Sequence, residues 1–366
     1  MLELKGEYND AKVFTENIDE GTLSQIVAIC NEEFTKDLKI RIMPDTHVGK
    51  GSVIGTTMTI EDKVVPNLVG VDVGCGMSVA KLDLKTENLD FSQLDKVIRT
   101  HVPSGFNIRN KLHPFYKEVD WGGIITPIDF NRAKRSIGTL GGGNHFIEVN
   151  QGKDDSIYLV IHSGSRNLGK QVAENYQKQA FEELSLKYSK VNKNLAYLEG
   201  QSFNDYINDM NIAQKYASLN RKAMISEIVK HMDWGIIEQW ESIHNFIDTE
   251  KMILRKGATS AQSGEKLLIP INMRDGSIIA IGKGNPDWNY SAPHGAGRLM
   301  SRSKAKNTVK LEDFKKTMKD VWTTSVQQST IDESPFAYKS MEEIISNISD
   351  TVDITDIIKP LYNFKA

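Results

Sequence analysis

Chemistry in this chain gathers where histidine meets glycine. Only eight histidines occur in 366 residues. Five stand in glycine- or asparagine-rich turns: His47 in PDTHVGKG, His145 in GGGNHFIE, His162 in IHSGSRNLG, His244 in IHNF and His294 in APHGAGR. Glycine permits positive φ and close approach of the backbone, so a histidine beside it at a strand end is presented to a site and not packed into a core. Singly, each admits a structural role; together they point to one site. Asp72 and Cys75 form D-x-x-C inside GVDVGCGM. A carboxylate and a thiolate three apart on a glycine turn can converge on one metal ion, or the thiolate can bridge two. With His145, His162 and His244 the set has the composition of a transition-metal site, and the carboxylate keeps Mn and Fe in play beside Zn. Glu148 or Asn245 can supply part of the outer shell that orients metal-bound imidazoles.

His294 has a different setting. In SAPHGAGRLMSRSKAK it precedes Arg298, Arg302, Lys304 and Lys306, the strongest basic cluster of the chain. Such a run suits phosphates. An imidazole with a free nitrogen beside phosphate-binding groups is a candidate nucleophile, splitting one hard phosphoryl or nucleotidyl transfer into two easier ones through a phosphoramidate. The competing reading is a basic helix on a solvated face.

The elements that must position these groups are mixed. Lys63 to Leu84 is β-branched and punctuated by glycine, as buried strands joined by tight turns would be, and 156–161, 266–271 and 277–281 read as further strands. Gln171 to Asn192 and Phe203 to Trp234 read as helices, the second long, with Tyr206, Met210, Ala213, Ala217 and Met224 at helical spacing. Shorter helices are expected at 311–322 and 341–348. Without strict βαβ alternation the expected class is α+β. No linker, low-complexity tract or repeat divides the chain, so residues 1–366 are expected to form one domain. Cys30, on an apparent amphipathic helix, is assigned to packing, and two cysteines in such different contexts do not suggest a disulfide.

Composition removes whole classes. Lys and Arg number 45 against 48 Asp and Glu, a net charge of −3, so this is no polycation, and nucleic-acid binding must rest on a local cluster. No window approaches the ~18 apolar residues of a membrane span, and the start MLELKGEYNDAKVF lacks an apolar leader. A cytoplasmic protein with no membrane partner is expected.

Taken in order, PDTHVGKG, VGVDVGCGM, GTLGGGNHFIEV, IHSGSRNLG, NIAQKYASLNR, IHNF, RKGA and HGAGRLMSR resemble the RtcB family of RNA-splicing and RNA-repair ligases, across almost the whole chain. No single motif decides this; the ordered set does. The resemblance implies two Mn(II) ions and GTP, used to join an RNA 2′,3′-cyclic-phosphate or 3′-phosphate end to a 5′-hydroxyl end. The route would run through a histidine–GMP intermediate and an RNA-(3′)pp(5′)G activated end. It implies that Cys75 bridges two metals, with Asp72 and His145 on one and His162 and His244 on the other. It makes His294 the guanylylated nucleophile and Asp45 the group that orients it, as a carboxylate holds a triad histidine. Nucleotide contacts would come from Asn144, His145, Phe146, Ile147 and Glu148, from His244 and Asn245, from Pro270, Ile271, Asn272, Met273 and Ser277, and from His294, Gly295, Ala296, Gly297 and Lys365. Arg132, Arg166, Arg298 and Arg302 would bind RNA phosphates. An activating protein factor is an optional partner, and a monomer or weak oligomer is expected.

Two departures stand out. Where relatives usually carry a turn of the type PGSMG, this chain has Pro270-Ile271-Asn272-Met273-Arg274, and the usual terminal Lys-Gly is Lys365-Ala366. Losing that glycine alters how the backbone nears a nucleotide and bears directly on the preference for GTP. The alternative activities are a dinuclear metal-dependent RNA phosphoesterase or a 3′-end guanylyl-capping enzyme that stops before sealing. A non-catalytic RNA-binding module would be expected to have lost ligands, and none is missing. The setting is RNA repair or tRNA splicing, and the chain's being shorter than many relatives is compatible with a specialised repair branch that acts on a damaged structured RNA.

Overall fold

The run Ile157–Ser163 (IYLVIHS) is buried along its whole length, as a strand covered on both edges and both faces must be. In the computed structural model, which describes residues 1–366, its antiparallel neighbours are Gly76–Leu82 and Phe146–Gln151. Beyond them the sheet extends to seven strands. Ile236–Ile243 pairs with Gly76–Leu82, and Val352–Phe364, Gly276–Gly282 and Lys266–Asn272 follow Phe146–Gln151 in that order. A second sheet of six strands contains Ile40–His47 and Ile54–Thr59 at its centre and ends in Ile253–Lys256 and Asn245–Asp248. The architecture is α+β, as expected.

Helices cover the sheets. The 33-residue helix Gly200–Met232 buries Tyr206, Met210, Ala213, Ala217 and Met224, the residues whose spacing announced it. Its last third packs with the helix Phe91–His101 on the seven-stranded sheet, where Leu94, Ile98, Met224 and Ile228 meet Leu159, Ile161 and Tyr362. Each such fully buried aliphatic side chain contributes about 1.5–3 kcal/mol of transfer free energy. Cys30 ends the helix Glu20–Cys30 and lies wholly buried in a core with Ile26, Ile29 and Ile40, which is the packing role expected. No helix is long and apolar enough to cross a membrane.

Some boundaries differ from expectation. The helix expected over 171–192 runs Arg166–Lys187; its first residue has φ +55°, so the turn before it adds a start that periodicity does not show. The helix expected over 311–322 stops at Thr317, and Trp322 instead bridges Tyr362 in the last strand. The stretch 63–84 contains one long strand, Gly76–Leu82, preceded by a 3-10 turn at Pro66–Leu68.

Candidate active site

Antiparallel pairing places one end of alternate strands at the same sheet edge. At that edge Cys75 precedes Gly76–Leu82, His145 precedes Phe146–Gln151, His162 lies near the end of Ile157–Ser163, and His244 follows Ile236–Ile243. The four strands are adjacent, and the register sets Ile243 opposite Gly76, Gly76 opposite Ser163, and both Met77 and Phe146 opposite His162. Residues scattered over 170 positions therefore meet. Cys75 Sγ lies 3.2 Å from His162 Nε2 and 3.6 Å from His145 Nε2. His145 Nε2 is 3.0 Å from Asp72 Oδ2, and His162 Nε2 is 3.4 Å from His244 Nε2. Asp72, Cys75 and His145 form one group of metal-ligand atoms and Cys75, His162 and His244 another, with the thiol common to both.

Whether a cation fits can be read from the protons. His145 Nδ1 is 2.9 Å from the Leu140 carbonyl and His162 Nδ1 is 3.0 Å from the Asn144 carbonyl. A carbonyl only accepts, so Nδ1 carries the hydrogen in both rings and the Nε2 lone pairs face sulfur, carboxylate and each other. Such an arrangement is repulsive with nothing positive at its centre and is what metal ligation requires. Burial pushes the Cys75 thiol well above its ordinary value, helped by the Asp72 charge, and holds His162 and His244 well below theirs. A divalent ion reverses the thiol's preference, because a coordinated thiol is deprotonated.

Behind the ligands, the long helix sends two buried polar side chains into the loops. Arg221 Nη1 donates to the carbonyls of Gly74 (2.7 Å) and Ser163 (2.9 Å), the residues next to Cys75 and His162. Asn220 accepts from the Gly138 and Thr139 amides and donates to the Gly164 carbonyl. Both lie in NIAQKYASLNR, yet nothing in that motif's composition identifies them as clamps. Glycine is needed at 164, where a Cβ would sit 2.1 Å from Asp72 Oδ1.

His294 approaches from the other side. It follows the short strand Ser291–Pro293, and its Nδ1 is 2.7 Å from Oδ2 of Asp45, which is wholly buried in the strand Ile40–His47 of the six-stranded sheet. His47 Nδ1 donates to the Asp45 carbonyl at 3.0 Å. Gly297, at φ +75°, lets the chain pass so close that a Cβ would meet the Asp45 carbonyl oxygen at 2.1 Å. The ring centroids of His294 and His244 are 4.8 Å apart.

One cavity of about 1050 Å³ joins these groups. Asp72, Cys75, His162, His244 and His294 line it, together with Asn144, Phe146, Glu148, Asn245, Pro270, Ile271, Asn272, Met273, Gly295, Ala296, Gly297, Arg298, Arg302 and Lys365. Of the remaining residues singled out from sequence, Asp45 and His145 lie directly behind lining residues. Ile147 faces the core that includes Leu94 and Ile98, and Ser277 is fully buried with its hydroxyl unpartnered. The Asn272 side chain caps its own turn, accepting from the Arg274 and Asp275 amides at 3.0 and 2.9 Å. Burial raises Glu148 to about 7, against hydrogen bonds from Asn363 and Asn150 and the charge of Lys365.

The basic cluster is not free. Two buried carboxylates, Asp332 and Glu333, were not anticipated. Arg302 Nη1 lies 2.8 Å from Asp332 and 2.6 Å from Glu333, Arg298 3.4 Å from Glu333, and Lys365 2.7 Å from Glu333. Against its burial, Lys365 and Arg302 hold Glu333 down at about 2. Arg166 lies behind His145, donating to Thr139 Oγ1 and the Gly105 carbonyl, and Arg132 donates to the Phe106 carbonyl; neither lines the cavity. The carboxylates that anchor Arg298 and Arg302 carry no local sequence signature, because Asp332 and Glu333 sit in a 3-10 segment, Gln328–Glu333.

Comparison with known proteins gives the chain's family. The family model described as tRNA-splicing ligase RtcB matches residues 26–121 and 125–366. The chain is 32% identical over 355 residues to the RNA-splicing ligase RtcB of Escherichia coli K12, covering 86% of this chain and 87% of that one. It is 28% identical over 398 residues to the tRNA-splicing ligase RtcB of Aeropyrum pernix, covering 83% and 82%. With metal-ligand groups, the His294–Asp45 pair and a single cavity drawn from segments throughout the matched region, the chain belongs to the RtcB family.

Proposed function

We propose that this chain is an RNA ligase that joins RNA ends bearing a 3′-phosphate or 2′,3′-cyclic phosphate to 5′-hydroxyl ends, using GTP. The whole of residues 1–366 acts as one catalytic domain, since the cavity draws on residues from Asp19 to Lys365. The observation that carries the reading is the 2.7 Å bond between His294 Nδ1 and Asp45 at the cavity wall. Asp45 can only accept, which fixes the proton on Nδ1 and leaves Nε2 with its lone pair.

Nε2 attacks the α-phosphorus of GTP, the N–P bond forms and pyrophosphate leaves. The imidazolium so created is stabilised by the buried Asp45 carboxylate. A 2′,3′-cyclic phosphate is first opened by water, which adds to phosphorus as the bond to O2′ breaks; an oxygen of the resulting 3′-phosphate then attacks the GMP phosphorus and the bond to Nε2 breaks. Finally the 5′-hydroxyl oxygen attacks the 3′-phosphorus and GMP departs, its proton lost to solvent. Two Mn(II) ions would be held by Asp72, Cys75 and His145 and by Cys75, His162 and His244, and they supply charge neutralisation at the reacting phosphates. Asn144, Phe146, Glu148, His244, Asn245, Pro270 to Met273, His294 to Gly297 and Lys365 line the cavity the nucleotide would enter, with His145, Ile147 and Ser277 behind that lining. RNA phosphates are taken by Arg132, Arg166, Arg298 and Arg302, the last two by exchange against Asp332 and Glu333. Because thiolate and imidazole bind Zn more tightly than Mn, activity is to be judged with Mn added.

The test is incubation with Mn(II) and α-labelled GTP, or ATP, followed by denaturing electrophoresis. Label on the protein that His294→Ala lacks, and that chases onto an RNA 3′-phosphate with sealing, supports the ligase. Label reaching RNA without joined product would instead mark a capping enzyme, an outcome to which the altered 270–274 turn gives weight. No label with either nucleotide, in protein holding two metals, favours the phosphoesterase.

A further inference from the structure

The eight histidines fall into two groups. Five belong to the cleft, and the other three, His101, His113 and His231, converge on one carboxylate, Glu227. They come from separate elements: His101 ends the helix Phe91–His101, His113 caps a 3-10 turn, and Glu227 and His231 are one turn apart near the end of Gly200–Met232. We propose that His101, Glu227 and His231 form a second metal site, outside the cleft, for a borderline divalent ion of the Zn(II) class; His113 stays outside the ligand set, since its Nδ1 accepts from the Phe115 amide and its Nε2 therefore carries a hydrogen toward Glu227 Oε1.

The donor atoms of His101, Glu227 and His231 lie within 4.8 Å of one another. A tetrahedral ion with bonds near 2.1 Å holds its donors about 3.4 Å apart, so side-chain rotation alone closes the site. His231 Nε2 is 3.6 Å from Glu227 Oε2, and His113 Nε2 is 3.6 Å from Oε1. The two carboxylate oxygens are thus divided, Oε1 also taking Arg109 Nη2 at 3.2 Å and Oε2 facing His231. Arg109 Nη1 donates to the His101 carbonyl at 3.0 Å. One guanidinium therefore fixes both the carboxylate and the backbone of a ligand, the outer-shell arrangement that metal ligands require.

Charge around the group is mixed: Glu227 and two helix ends attract a cation, while Arg109 and Lys230 oppose it. His101 and His231 sit in the last turns of their two helices, where the carbonyl ends of both macrodipoles attract positive charge. The imidazoles of His101 and His231 are stacked, centroids 3.6 Å apart and 14° from parallel. One nitrogen of each ring belongs with a Glu227 oxygen to the same group of ligand atoms, and an ion entering there would tilt the rings out of their stack. Arg109's charge opposes the ion but is balanced by Oε1, and the partly exposed position of His231 gives a path from solvent. Imidazole and carboxylate without sulfur suit Zn(II) and its neighbours over Ca(II) or Mg(II).

The experiment counts metal and does not rest on the ligase reading. Full-length protein stripped with chelator is titrated with Zn(II) alone by calorimetry, with bound metal measured by mass spectrometry after dialysis. Three chains are compared: unaltered, His231→Ala, and Cys75→Ser to perturb the cleft. One equivalent fewer in His231→Ala, with the cleft equivalents intact, and a further drop of one when His231→Ala is added to Cys75→Ser, support the site. Zn(II) should also raise the Tm of Cys75→Ser and raise it less once His231 is gone, because the ion ties two helix ends together. Equal stoichiometry in each pair overturns the proposal. Glu227→Gln is the second variant, expected to reproduce the loss while keeping the side chain's size.

Discussion

The two histidine groups differ in how their ligands are held. In the cleft, His145 and His162 are fixed by backbone carbonyls, the loops beneath them are clamped by Asn220 and Arg221, and a thiol is shared between two donor sets. In the group around Glu227 the ligands include no sulfur, the anchoring group is the Arg109 side chain in place of backbone carbonyls, and His231 reaches the surface. Preorganised ligands lose little entropy on binding and keep a reactive geometry; side-chain-held ligands bind but do not position. The first group has the rigidity that chemistry on a bound substrate requires, whereas an ion in the second would do no more than link two helix ends.

Breaking the cleft side should therefore cost catalysis, and breaking the other side should not. The largest effect is expected from His294→Ala, which removes the attacking nitrogen: labelled protein should vanish and sealing fall by at least ~10⁴-fold. Asp45→Asn keeps the shape but loses the acceptor that sets the tautomer, and single-turnover guanylylation should slow by ~10²–10⁴-fold. Gly164→Ala drives a methyl into Asp72, and Mn(II) affinity should weaken by ~10–100-fold while GTP-free stability changes little. His231→Ala, by contrast, should leave the sealing rate unchanged; a loss as large as that of Gly164→Ala would erase the distinction between the two groups.

The smallest effect sharpens the comparison through pH. Glu333 is pulled from 4.5 to about 2 in the folded protein, so its pairing stabilises the fold fully above pH 4.5 and is lost as pH falls toward 2. The shift corresponds to on the order of 3 kcal/mol. Acid unfolding of Glu333→Gln should accordingly show less dependence on pH between those values than the unaltered chain; an identical slope would mean that Lys365 and Arg302 do not stabilise that charge.

Much of the site was legible because its signal is local. Histidine beside glycine, and Asp72 three before Cys75, are readable one segment at a time, and so are Met341–Ile348 and the long helix, whose apolar period repeats over many turns. What stayed hidden is non-local. Arg298 and Arg302 read as free cations until the fold brings Asp332 and Glu333 against them. The six-stranded sheet left no trace in the reading, because strand order and register follow from pairing between segments as distant as Thr59 and Ile253. Likewise three histidines without glycine neighbours, His101, His113 and His231, share Glu227 only through packing.

The strand Val352–Phe364 lies inside the seven-stranded sheet, between Phe146–Gln151 and Gly276–Gly282. On the ribosome, every metal-ligand residue and His294 emerge well before that strand does. Until residue 364 is clear of the exit tunnel the sheet stays split, its open edge unpaired and Lys365 absent from the cleft. Chains cut short by a broken or stalled message would carry the reactive residues without the scaffold that aligns them. A chain cut before Val352 would leave the strand Phe146–Gln151 without its partner on that side and take Lys365 away from Glu333, an open edge of the kind that invites pairing with other chains.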